Sequence, residues 1–344
     1  MVLAVVTSSP PQVEGGHLVI ARALVRAAIE AGHDAHLVVT PDYGFGRQTR
    51  SYLANAAVNV RRMAGRPVDR VISLRYPSYA VRHPHHVCWL NHTMREYYDL
   101  WPDFAATLSP LNTVKESIRR ALTHAADRHL LRQHVRRVVA QSGTIQARLA
   151  ADFHIQADVV YPPPPQRPYR CDGYGDYVFA VSRLTPLKRL DLLVRALAEP
   201  EARGVRAVVA GEGESMAALR ALADRLEVGS RITFAGRVDE AALVDHYARC
   251  RAVCFLPRQE DYGFVTVEAF ASRKAVVTCH DSGGPAELVR NGETGFVCDP
   301  DPHAVAGALG ALAGDAALAG RLGDAAGERV RTMTWSAALA RLLL

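Results

Sequence analysis

The chain has no uninterrupted apolar run long enough to cross a bilayer. Its start, MVLAVVTSSPP, has no basic segment ahead of the apolar residues. Neither a membrane span nor a secretory leader is read from it, and a cytoplasmic protein is the expectation. None of the six cysteines, Cys88, Cys171, Cys250, Cys254, Cys279 and Cys298, belongs to a C-x-x-C pair, and no Cys/His set has zinc spacing. Free, mostly buried thiols and no metal are expected. His83, His85 and His86, beside Pro84, read as solvated imidazoles in a loop rather than metal ligands. No Walker loop or G-x-G-x-x-G run follows the first strand, which argues against a simple triphosphate or dinucleotide site.

What is present is an ordinary globular balance: 344 residues, 49% hydrophobic and 22% charged, enough for two domains. The formal net charge is +6, which favours anionic partners. Much of the excess lies in the stretch Lys115 to Arg137, which reads as one long helix carrying Arg119, Arg120, Arg128, Arg132, Arg136 and Arg137. Its apolar residues, Ile118 and Leu122 among them, only partly segregate to one side. A solvated outer face and a surface in peripheral contact with anionic membrane both fit. No aromatics are interleaved along it, so nucleic acid is not an expected partner.

Along the chain, short Val- and Ala-rich runs alternate with amphipathic stretches. In the first half VLAVVT, AHLVVT, RVISL, HVCWL, RVVAQ and DVVYP read as strands. Between the first two, VIARALVRAAIEAG is a helix closed by Gly32. After the four prolines Pro162 to Pro165 the same pattern resumes with DYVFAVS, RAVVAG, RITFAG, AVCFLP, KAVVTC and TGFVCD. The expected fold is α/β: two doubly wound parallel-sheet domains facing one another across a cleft. Their expected bounds are 1–165 and 166–332, with the helix 333–344 crossing back to the first.

Ligands in such sheets collect at the carboxyl ends of the strands. Gly15 and Gly16 precede the first helix there, where bare amides can approach an anion. Arg183 and Lys188 bracket a Pro186 turn after the first strand of domain two, a pairing that suits a diphosphate; Arg189 is expected to face solvent. Gly211 and Gly213 match two glycines of a dinucleotide fingerprint, but Met216 replaces the third, so a tight turn is the reading. In EDYGFVTVE, Glu260 and Glu268 bracket a helix start near Gly263 and Phe264. The first-turn amides of Gly263, Phe264 and Val265 are free donors. An anion between two hydroxyl-binding carboxylates suits a sugar nucleotide. Gly283, Gly284 and Pro285 form a further close-approach turn. Asp299 to Asp301, a DPD run, is discounted as a metal site. His92 ends a strand of domain one.

Taken in order, SRLTPLKRLDLL, AGEGE, ITFAGRV, EDYGFVTVEAFASRKAVV, GGPAELV and NGETGFVCDP resemble the retaining GT-B glycosyltransferases of family 4. RHPHHVCWLNHTMREYYDLW resembles bacterial members. The resemblance implies a GT-B fold with two Rossmann-like domains facing a central cleft. It implies a hexosyltransferase that needs no metal or other cofactor and uses a UDP-, GDP- or dTDP-sugar. The acceptor would be a hydroxyl on a glycan, a lipid-linked group or a small molecule, and attack would come from the front side. Arg183 and Lys188 would bind the diphosphate together with the amides at Gly263 to Val265. Glu268 would bind the ribose, Glu260 would face the hexose beside Tyr262, and the base would meet backbone near Arg237 and Val238. Gly211 would complete the donor turn, His92 would lie against the sugar, and Gly15 and Gly16 would admit the donor phosphates. The alternatives are a GT-B epimerase or phosphorylase and a non-catalytic basic membrane- or anion-binding protein.

Overall fold

The computed structural model describes residues 1–10 and 15–344. It divides into two units, Met1–Pro162 with Thr334–Leu344, and Pro163–Met333.

The first unit is built on β1 (Val2–Ser9), β2 (Asp34–Pro41), β5 (Arg70–Ser73), β6 (His86–Leu90), β7 (Arg137–Ala140) and β8 (Asp158–Val159). They form a sheet of order β2-β1-β5-β6-β7-β8, and every pair in it is parallel. All eight residues of β1 are buried, as a strand covered on both faces by helices requires, which is why Val2 to Val6 read as a continuous apolar run. A two-strand hairpin, β3 (Arg62–Met63) with β4 (Arg66–Pro67), stands apart from this sheet. The helix Trp335–Leu343 closes the unit. Trp335 meets Trp89 edge-on at 6.3 Å, and Arg137 donates to the Arg341 carbonyl oxygen at 2.8 Å near the helix's last turn, where cations are favoured.

The second unit holds β9 (Tyr177–Val181), β10 (Arg206–Ala210), β11 (Ile232–Gly236), β12 (Ala252–Cys254), β13 (Val276–Cys279) and β14 (Gly295–Cys298). Their order is β11-β10-β9-β12-β13-β14, again parallel throughout. Relative to the unit's own chain order this is 3-2-1-4-5-6, the doubly wound arrangement of dinucleotide-binding domains. Leu193, Val209, Leu256, Val277 and Leu309 lie in one continuous core cluster beneath it.

Two expectations are corrected here. The basic helix does not run from Lys115 to Arg137. It starts at Pro110, whose missing N–H costs nothing in the first turn, and runs to His129. A π-helical turn, Leu130–His134, follows, and Arg137 already belongs to β7. His86 is not a solvated loop residue. It is fully buried in β6 with Nε2 2.8 Å from Ser73 Oγ, and burial pushes its pKa down to about 3. No single helix among the described residues is long and apolar enough to cross a membrane.

Candidate functional site

In a 3-2-1-4-5-6 sheet the connections diverge between strands 1 and 4, here β9 and β12. The crevice left at their carboxyl ends is where such sheets take ligands. The loop after β9 carries Arg183 and Lys188, and the loop after β12 carries Glu260 and Gly263. The two loops are joined. Lys188 Nζ pairs with the Glu260 carboxylate, and the Arg258 amide donates to the Leu187 carbonyl at 2.8 Å. Arg183 is exposed and, among the described residues, its guanidinium makes no hydrogen bond or ion pair.

Arg189 differs from the expectation that it faces solvent. At φ +48° its guanidinium turns inward and donates to the Leu256 carbonyl at 2.8 Å and the Pro257 carbonyl at 2.9 Å. It also grips the Asp281 carboxylate with both terminal nitrogens, at 2.6 and 2.7 Å. A planar fork can hold three loops at once. Here it ties together the segments after β9, β12 and β13.

Backbone contacts fix the Arg183 turn from the other side. Gly211 has φ +126°, and a Cβ there would sit 1.8 Å from the Ser182 carbonyl oxygen. The close approach lets the Ser182 amide donate to Ala210 and the Leu184 amide to Glu212, at 3.2 and 2.9 Å. Thus Gly211 is part of a tight turn, and what it supports is the position of Arg183. Its own amide donates to the Gly236 carbonyl at 2.7 Å, which brings in the end of β11 and, directly after it, Arg237 and Val238.

The helix Phe264–Ala271 begins at Gly263, which has φ +81° and packs so closely that a Cβ would meet Pro285 Cγ at 2.8 Å. By position, the amides of Gly263, Phe264 and Val265 have no intrahelical acceptor. Tyr262 is buried and meets Phe264 edge-on at 5.3 Å. Glu268, one turn into the helix, is buried. Its Oε1 pairs with Arg167, and its Oε2 accepts from the Tyr247 hydroxyl at 2.8 Å. Arg167 Nη1 also lies 3.2 Å from the Tyr169 hydroxyl. Sequence reasoning missed Arg167, Tyr169 and Tyr247. Two of them stand in QRPYRCDGYGD, which has no periodicity, and nothing in their spacing points to Glu268.

In the first unit the strand order reverses between β1 and β5. Gly15 precedes the helix Gly16–Glu30 after β1, Arg75 follows β5 and His92 follows β6. Residues 11–14 of the first loop lie outside the described residues. His17 Nδ1 is 3.4 Å from Arg75 Nη1, and Arg75 pairs with Asp42 at 3.4 Å. Arg75 and His17 carry no sequence signal of their own. His92 Nδ1 lies 2.8 Å from the Thr93 carbonyl oxygen. A carbonyl only accepts, so Nδ1 carries the proton. Burial, reinforced by the Arg75 charge, pushes the His92 pKa down to about 3. The ring is neutral, and Nε2 offers a lone pair.

For metals, one set among the described residues, Glu199, Glu201 and His303, brings three ligand atoms within 4.8 Å of one another, and it includes none of the candidate residues. Asp301 is engaged otherwise: it caps the helix Pro302–Gly314 by accepting from the Ala304 amide at 3.0 Å.

Over 99% of its length, the chain superposes on 98% of Anabaena HepE, crystallised with UDP and glucose, at a TM-score of 0.72 and 17% identity. It superposes on sucrose-phosphate synthase of Thermosynechococcus elongatus at a TM-score of 0.76 and 17% identity, over 98% and 96% of the two chains. The fold is GT-B. Residues 170–329 match the family model Glycosyl transferases group 1, so the GT-B unit that carries Arg183, Lys188, Glu260 and Glu268 is the one that matches. D-inositol 3-phosphate glycosyltransferase of Corynebacterium glutamicum is 34% identical over 172 residues, 47% of this chain and 41% of that protein. The match therefore spans less than half of this curated relative's own length.

Proposed function

We propose that the protein is a glycosyltransferase that moves a hexose from a nucleoside-diphosphate sugar to an acceptor hydroxyl, with retention of configuration and without a metal. The observation that carries the reading is the β9–β12 crevice. An unpaired Arg183, the Lys188–Glu260 pair and the amide-rich start of the Phe264–Ala271 helix come from loops locked to one another there. The GT-B fold and the group 1 match over residues 170–329 support it.

Cleaving a sugar–diphosphate bond builds negative charge on the departing phosphate. Arg183, Lys188 and the first-turn amides offer positive charge and donors for it, so the transition state gains more than the ground state. Supplying that charge from side chains is what makes the reading metal-independent. Glu268, held on one oxygen by Arg167 and on the other by Tyr247, keeps acceptor capacity for ribose hydroxyls. Glu260, neutralised by Lys188, faces the hexose beside Tyr262. It is poorly suited to nucleophilic attack, consistent with front-side entry of the acceptor oxygen and proton transfer to the leaving phosphate. Gly15 and Gly16 admit the phosphates to the first unit. The backbone at Arg237 and Val238 takes the base. His92 Nε2, as an acceptor, takes a sugar hydroxyl.

The test is a thermal-shift panel of UDP, GDP and dTDP, followed by product NMR with the corresponding sugar donors. One nucleotide should raise the melting temperature by mass action, and Glu268→Ala should remove the shift. A chain stabilised by none of them, or one whose donor anomer emerges inverted, refutes the reading.

A further inference from the structure

The helix Pro110–His129 is mounted with its polar side inward. A surface helix ordinarily turns its apolar stripe to the core. Here the buried residues are Glu116, Thr123 and Asp127, at 6%, 3% and 0% exposure. The helix is attached through hydrogen bonds. Asp127 accepts from the hydroxyls of Tyr52, Tyr79 and Tyr98, Glu116 accepts from the Tyr97 hydroxyl at 2.6 Å, and Arg120 Nε donates to the Tyr97 carbonyl at 2.7 Å.

Opposite this face, Leu111, Val114, Ile118 and Leu122 recur at spacings of three and four and form one stripe. They are 85%, 62%, 59% and 64% exposed. Lys115 flanks the stripe on one side and Arg128 on the other, while both acids of the helix, Glu116 and Asp127, point inward, and Arg119 pairs with Glu116 at 2.7 Å. A contiguous apolar stripe left in water marks an interaction surface.

We infer that this face docks on an anionic lipid surface, with the four apolar side chains in the headgroup boundary and the flanking cations on lipid phosphates. The charge pattern selects this occupant. An apolar ridge rimmed by cations and free of acids matches a plane of negative headgroups over hydrocarbon. It would repel an identical cationic rim on a second copy, and a single helical stripe falls short of the roughly 800 Å² per partner that a stable dimer buries. The inference stands on the first unit alone and is independent of the proposed transfer reaction.

The experiment is co-sedimentation of the full chain with vesicles of phosphatidylcholine alone and of phosphatidylcholine with phosphatidylglycerol. Binding should be at least tenfold stronger to the anionic vesicles and should weaken as salt rises. Ile118→Ser with Leu122→Ser, and separately Lys115→Glu with Arg128→Glu, should each lower it at least tenfold. Because all four positions are exposed, melting temperature and the nucleotide-induced thermal shift should stay unchanged in both variants. Equal binding to the two vesicle types, or full binding by either variant, overturns the inference. So does a lipid-free dimer, seen by light scattering, that the serine variant dissociates.

Discussion

Lys188 and Glu260 form an ion pair across the line where the β9 and β12 loops part. A cation and an acid that we propose both face a diphosphate sugar are thus paired with one another in the free chain. Lys188→Ala should remove the positive charge that meets the leaving phosphate and leave Glu260 unpartnered in a half-buried position. Turnover should fall by at least ~100-fold. Steady-state kinetics with the sugar nucleotide found in the thermal-shift panel measures it, and near-normal turnover would remove Lys188 from the mechanism.

If Glu268 binds the donor as proposed, Tyr247 is a positioning residue. It is fully buried, and its hydroxyl holds the Glu268 oxygen that Arg167 does not. Tyr247→Phe should cost about 1.5 kcal/mol, roughly tenfold in donor KM, with little change in kcat, because hydrogen bonds to charged groups carry about that much. A merely structural tyrosine would lower the melting temperature and leave the donor KM alone.

Gly211→Ala would push a Cβ to 1.8 Å from the Ser182 carbonyl oxygen at φ +126°. Gly204, with φ +87° and open space around it, is the control. Both substitutions strain the backbone, by about 1–3 kcal/mol. Only the first also displaces the Arg183 turn, so it alone should combine a lower melting temperature with a loss of turnover larger than tenfold.

Asp127 is fully buried beneath three tyrosine hydroxyls. Burial pushes its pKa up to about 6, against the lowering effect of the hydroxyls. A carboxyl raised above its ordinary 3.8 holds its proton more tightly in the folded chain. Its contribution to stability is therefore complete below about pH 4 and is lost as pH rises through about 6, an effect of about 3 kcal/mol. Asp127→Asn should flatten this part of the melting-temperature profile. A variant that keeps the full wild-type slope between pH 4 and 7 would contradict the assignment.

His92 should not titrate between pH 5 and 8, since its pKa lies near 3. His92→Gln should lower kcat/KM without changing the shape of its pH profile in that range. An acid limb near pH 6.5 that disappears in the variant would show a charged imidazole instead.

The principal strands were legible because buried parallel strands announce themselves as runs of Val and Ala, as in Val2–Ser9 and Val276–Cys279. The hairpin of β3 and β4 was not: two-residue strands have no periodicity to read. The start of the Phe264–Ala271 helix was legible from Gly263, because a glycine before an apolar run marks a cap. The Pro110–His129 helix was harder. Its apolar stripe faces water, so amphipathicity predicted a helix but not which side would be covered. Arg167 and Tyr247 were invisible for another reason. They reach Glu268 from positions 101 and 21 residues away, and only the folded sheet supplies that proximity. Arg189 and His86 were misplaced because residue type alone suggested solvent, while a three-loop anchor and a strand interior claimed them.

The hydrogen that stands for a side chain at Gly211 also bears on redesign. A protein engineer seeking a new donor preference would be free to vary what projects from the rims of the second unit, such as Arg237 and Val238. The 211 position admits no such freedom, because its usefulness lies in occupying no room. Libraries that randomise this turn should return its original residue, whichever nucleotide they are selected to accept.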